Sequence, residues 1–222
     1  MTTTSNTAGQ LTDVRDMYVV HRVFRREFVL IPQLVRQVAA GDTARAAVVG
    51  EHARLVLAGL DMHHTGEDVL LWPKLLERDP PDAELIHRME SQHHRVDELI
   101  DQLTEALTRW EAEARPAVGE EVASTFDDFR VALLEHLDDE EQHILPIAAR
   151  CITQEEWNSL GQHGAEKMSK AQLPLMFGAL LEEATPEERK FMLALVPFPV
   201  RVLLRTVFAW QYRRRITQVR TP

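Results

Sequence analysis

The 222 residues carry 25 basic against 35 acidic side chains, a formal charge of −10, and a single cysteine. The length suits one large domain, or one domain with an appendage. The lone Cys151 excludes a disulfide framework or a multi-thiolate metal site, and the acidic excess argues against a nucleic-acid-binding body, whose phosphate contacts need Lys and Arg.

In chain order, residues 1–10 read as a polar arm with neither the basic nor the apolar stretch of a secretory signal, so a cytoplasmic setting is expected. Four long segments of helical period follow. The first spans about Thr12 to Ala39 and stops at Gly41; the second starts behind Asp42 as N-cap and runs to about Arg78. Asp79-Pro80-Pro81-Asp82 breaks the chain, and a third covers about Asp82 to Ala114. Arg115-Pro116-Ala117-Val118-Gly119 breaks it again, and the fourth covers about Glu120 to Cys151. Short connections between long helices predict an all-α fold, an up-down-up-down four-helix bundle over residues 11–152.

Residues 153–222 change texture and predict a helical C-terminal extension. Thr153-Gln154-Glu155-Glu156 and Thr185-Pro186-Glu187-Glu188 read as capping boxes opening short helices. Phe191 to Trp210 is apolar, but Pro197, Pro199, Arg201 and Arg205 argue against a membrane-spanning helix and for one packed on the bundle. From Arg201 onward there are six Arg and no acid, leaving 19 basic against 35 acidic side chains, a charge of −16, in residues 1–200. The tail is expected either to dock on that body or to meet a protein partner.

The second and fourth segments share one pattern, His63-x3-Glu67-x5-Pro73 and His136-x3-Glu140-x5-Pro146. Residues i and i+4 share a helix face, so each pair can present an imidazole and a carboxylate to one point. That face looks inward: His63 is in phase with Val56, Leu60 and Leu70, His136 with Phe129, Leu133 and Ile147. Burying ionised Glu there is costly unless a cation compensates. The prolines, six residues past each Glu, predict kinks. On the first segment His21 is the only His, in phase with Met17, Phe24 and Phe28; on the third, His93 shares its face with Met89 and Val96, whereas His94 and His87 face solvent. Asp61, Asp68 and Glu141 read as surface or supporting residues. His64 lies about 100° around from His63 and is set back from the site. His143 reads as a core histidine bordering the site, His52 as too distant, and His163 as a loop residue. An alternative pairs Glu90 with His93 and Glu140 with His143, as in ferritin-like bundles.

Taken together, His21, His63-His64-Thr65-Gly66-Glu67-Asp68 with Trp72-Pro73, Gln92-His93, and His136-Leu137-Asp138-Asp139-Glu140-Glu141 with Leu145-Pro146 resemble the hemerythrin-like, HHE cation-binding domain family. The resemblance implies two non-haem iron ions bridged by Glu67 and Glu140, with His21, His63, His93 and His136 as terminal ligands. Oxygen-carrying hemerythrins have five His, with an H-x3-H pair on the third helix; here Met89 stands four before His93 and Glu90 four before His94. Four His would leave both metals an open position, which favours redox turnover over reversible oxygen carriage. The functions implied are binding or sensing of oxygen or nitric oxide, catalase-like decomposition of peroxide, or iron buffering with a partner-binding tail.

Overall fold

A computed structural model describes residues 11–78 and 83–221. The expected arm at residues 1–10 and the break at Asp79-Pro80-Pro81-Asp82 lie outside the described residues. The fold is all-α, with no strand among the described residues.

Helix α1 (Arg15–Arg36) buries Met17, His21, Phe24, Phe28 and Ile31 along one face. The chain then turns at Gly41, whose φ of 78° is a left-handed conformation that other residues adopt only with strain. Asp42 caps α2 (Thr43–Leu70), its carboxylate accepting from the Arg45 N–H at 2.9 Å. The second segment does not run unbroken to Arg78. It leaves the helix at Leu71 and restarts as α3 (Trp72–Arg78), with Pro73 in the first turn, where a missing N–H costs nothing.

Helix α4 (Ala83–Glu113) leads to α5 (Pro116–Asp139), which starts four residues earlier than the expected Glu120. Pro116 suits the first helical position, and Gly119 admits the indole of Trp110, whose Nε1 would lie 2.8 Å from an added Cβ. The expected kink before Pro146 is a π-helical turn at Glu140–Ile144, in which the Leu145 N–H donates to the Glu140 carbonyl. Helix α6 (Leu145–Cys151) follows, with Pro146 in its first turn.

α1 packs on α5 and α2, and α4 packs on α5 and α2. Two apolar clusters fill the interior. The larger includes Phe28, Leu107, Trp110, Phe126 and Phe129, with the Phe28 ring edge-on to Phe129 at 4.9 Å. The smaller includes Met17, Trp72, Ile86, Met89, Ile144 and Trp157. Each large side chain so buried contributes roughly 1.5–3 kcal/mol. The helices pass from one cluster to the other through a polar layer: on α1 His21 lies between Met17 and Phe24, on α4 His93 lies between Met89 and Val96. Stability comes from the clusters, and the site occupies the gap between them.

The extension comprises α7 (Gln154–Lys167), α8 (Leu173–Glu183), α9 (Pro186–Ala194), α10 (Phe198–Leu203), a π-helical turn at Leu204–Phe208 and α11 (Ala209–Arg220). Both expected capping boxes form, at Thr153 with Glu156 and at Thr185 with Glu188. α7 packs on α2, α8 and α9 on α1, and α11 on α8 and α2. Tyr212, Ile216 and Val219 join the larger apolar cluster, Arg215 reaches Glu51 and Arg220 reaches Glu182, both at 2.8 Å. The basic tail thus docks on the acidic body through buried apolar residues as well as charge. No helix among the described residues is long and apolar enough to cross a membrane.

Candidate metal centre

The polar layer gathers His21 from α1, His63, His64 and Glu67 from α2, His93 from α4, His136 from α5 and Glu140 from the π-helical turn. All six residues expected at the site lie here, and His64 joins them. His21, His64, Glu67, His93, His136 and Glu140 are at most 2% exposed. Their donor atoms form three groups, His64 with His93 and His136, His21 with His63 and Glu140, and Glu67 with His136 and Glu140; within each group all atoms lie within 4.8 Å of one another.

The carboxylates straddle the first two groups. Glu67 places Oε1 3.5 Å from His63 Nε2 and Oε2 3.5 Å from His93 Nε2. Glu140 places Oε2 3.1 Å from His21 Nε2 and 3.9 Å from His136 Nε2. Despite these approaches, Nε2 of His21, His63, His93 and His136, both ring nitrogens of His64, and all four oxygens of Glu67 and Glu140 make no hydrogen bond of proper geometry. A buried polar group left so costs on the order of 1–3 kcal/mol. A cation drawing these atoms to it removes that penalty.

The opposite ring nitrogens are held. His21 Nδ1 lies 2.9 Å from Glu141 Oε1, His93 Nδ1 2.8 Å from Asp68 Oδ1, and His136 Nδ1 3.1 Å from Gln92 Oε1. Each partner atom is an acceptor only, so Nδ1 carries a proton, and in the neutral ring Nε2 is then left with its lone pair turned inward, the tautomer a metal-binding histidine needs. Asp68 is fixed in turn by the Trp72 Nε1–H at 2.8 Å, and Glu141 by Arg25 at 3.1 Å.

Electrostatics point the same way. Burial, reinforced by the His21 charge, pushes His63 down to about 3, and burial pushes His136 down to about 4 against the pull of Glu140. Burial and His93 hold His64 well below its ordinary value. These rings are therefore neutral. Burial pushes His21 down too, but Glu140 and Glu141 more than offset it. Burial and the Glu140 charge raise Glu67, whereas burial of Glu140 is outweighed by His21, His63 and His136, which lower it. Two carboxylates this close cannot both ionise without added positive charge. Neutral imidazoles and carboxylates, with no thiolate, suit a divalent cation such as iron, manganese or zinc.

The hemerythrin HHE cation-binding domain model matches residues 12–148. The chain belongs to that family. Comparison with curated proteins and with solved structures gives no match.

Within this HHE domain several residues sit where the sequence did not place them. His64 is not set back: its ring stacks on His93 with centroids 4.1 Å apart. His143 is exposed rather than a core histidine, because the π-helical turn inserts one residue and rotates it outward. The ferritin-like alternative fails with it, since Glu90 is exposed and pairs with His87 at 2.8 Å. His94 faces solvent as expected. His163 lies in α7, not a loop, because the capping box starts a helix that runs through Gly161 and Gly164 while packed on α2. His52 is away from the centre and pairs with buried Glu27 at 2.8 Å. Asp68 and Glu141, read as surface or supporting residues, align His93 and His21, and Gln92 aligns His136.

Proposed function

We propose that this HHE-family protein holds two iron ions in the polar layer of an up-down-up-down four-helix bundle, and that oxygen, peroxide or nitric oxide binds or reacts there. The carrying observation is the straddling of two imidazole groups by Glu67 and Glu140. His64, His93 and His136 would hold one ion and His21 and His63 the other, with Glu67 and Glu140 reaching both sets of imidazoles. Bound iron supplies electron transfer and affinity for small ligands. The chain's own residues do the rest: Asp68, Glu141 and Gln92 orient the rings through Nδ1, while Phe24 and Trp72 pack against His63 and His93 and hold them in place.

His64 changes the ligand count. Five imidazoles now surround the centre, the number found in oxygen-carrying hemerythrins, with His64 on α2 standing in for the histidine that α4 lacks at Met89. The group containing His21 and His63 then has fewer protein donors, which favours ligand binding on that side and replaces the expectation of two equally open metals.

The test is anaerobic loading with ferrous iron, metal counting, and visible spectra before and after oxygen, peroxide and nitric oxide. Two ions per chain and a ligand-dependent visible band are expected. A count near zero, or one unchanged in His136→Ala, would overturn the reading.

A further inference from the structure

Beside the site lies a cavity of about 360 Å³ that His63, Gly66 and Glu67 line on one side. Most of its wall comes from residues beyond the family-matched stretch, among them Trp157 and Leu160 on α7, Phe177 and Leu180 on α8, and Leu193 on α9. The wall is overwhelmingly apolar. Five of the seven methionines of the chain, Met17, Met62, Met168, Met176 and Met192, face it, giving a surface that can adapt to a flexible guest. Among the described residues no Lys or Arg lines it, and the only acids that do are Asp16 and Glu67. Two of its polar groups, His63 Nε2 and the Glu67 carboxylate, are buried and lack hydrogen-bond partners.

A diatomic gas needs far less room. At about 30 Å³ per water-sized unit, the cavity accommodates on the order of a dozen non-hydrogen atoms, at the lower end of small-molecule pockets. The absence of cations and the presence of two acids disfavour an anionic head such as a carboxylate or phosphate. Leu195, which also lines the cavity, is 47% exposed, and exposed Gly161 stands on its wall, so the cavity reaches the surface.

We infer that the extension forms a binding site for an uncharged, largely apolar organic molecule of about ten carbons, held with one end at His63 and Glu67. This rests on the metal-centre reading only for what the ligand would meet at that end; the binding itself does not require metal. The site therefore differs from a gas pocket: the extension, absent from the family-matched stretch, selects the ligand.

The probe is 10-bromo-1-decanol, whose bromine quenches tryptophan at short range, with Trp157 on the cavity wall as reporter. Trp210 is 57% exposed, so the work uses Trp210→Phe as background to remove adsorption at that surface. Saturable quenching is expected in both metal-free and iron-loaded full-length chain, and its loss in Trp157→Phe. Gly161→Leu adds an apolar side chain at the mouth of the cavity, where an added Cβ meets nothing within 4 Å. It is expected to weaken binding at least tenfold while leaving the iron count unchanged. Decanoate is expected to compete at least tenfold less well than decanol against the metal-free chain. No saturable quenching, quenching retained in Trp157→Phe, or equal affinity in Gly161→Leu overturns the site; decanoate binding as well as decanol overturns the claim of an uncharged ligand. A chain that binds the probe but no iron would instead refute the metal centre alone.

Discussion

The two copies of H-x3-E-x5-P hold the same residues in different backbones. In the first, His63 to Pro73, α2 ends and the chain breaks at Leu71; in the second, His136 to Pro146, the helix continues through a π turn. Both satisfy the same constraint, a proline that cannot donate a helical hydrogen bond. Both also end with equivalent pairs, Leu71-Trp72 and Ile144-Leu145, buried in the smaller apolar cluster. The copies diverge at the residue after the histidine, His64 in one and Leu137 in the other, both buried. The inward position is thus common to both, and the chemistry placed there is not: one copy spends it on a fifth imidazole, the other on the larger apolar cluster.

The largest expected effect comes from removing what both copies are built to hold. A ligand present at about 1,000 times its Kd adds about 4 kcal/mol to stability, or roughly 10 °C in Tm for a chain of this size. Calorimetry of iron-loaded chain with and without chelator should show a gap of that order; coincident transitions would mean the polar layer needs no cation. The difference between the copies predicts the next. His64→Ala should lower bound iron from two ions per chain toward one, whereas His143→Ala, outside the site on the rotated turn, should leave it at two. Equal counts in both variants would return His64 to a packing role.

Smaller effects follow from the residues that aim the rings. Asp68→Ala frees His93 and Glu141→Ala frees His21, each expected to weaken metal affinity about 10- to 100-fold in competition with a chelator. An unchanged affinity would separate the Nδ1 partners from metal binding. The smallest effect concerns the clasp between the ends of the copies. Arg78 on α3 donates to the Cys151 carbonyl at 2.9 Å and pairs with Glu156 at 2.7 Å. Arg78, with help from the Thr153 backbone and hydroxyl, holds Glu156 down to about 2. A lowered folded-state value contributes stability above the ordinary carboxylate range that fades as pH falls through about 2. Arg78→Gln should therefore cost under about 1 kcal/mol in urea unfolding at pH 7, as partly exposed pairs do, and less at pH 2.5. A cost that grows in acid would contradict this.

The i, i+4 spacing makes most of the site legible, because His21, His63, Glu67, His93 and His136 sit in phase with apolar residues on α-helix, and Glu140 follows His136 by four residues at the start of the π-helical turn. His64 was hidden by the same rule: a single metal point accepts one direction from α2, and two adjacent points accept two. The signal was nonetheless present in the second copy, where an apolar Leu137 marks the equivalent position as inward. His143 was misplaced because periodicity extrapolates an α-helix through a π turn that sequence spacing does not announce. Gly119 reads as a breaker in the sequence, which puts the start of α5 late; in the fold it lies inside the helix and makes room for Trp110. The cavity left no trace in the sequence: its wall is assembled from short helices whose glycines and methionines carry no period of their own.

The most direct test is a crystal structure of the iron-loaded chain with anomalous scattering measured at the iron edge. Two peaks about 3.5–4 Å apart, one beside His64, His93 and His136 and the other beside His21 and His63, with Glu67 and Glu140 touching both, are the predicted result. A single peak, or two peaks with His64 turned away from both, would contradict it.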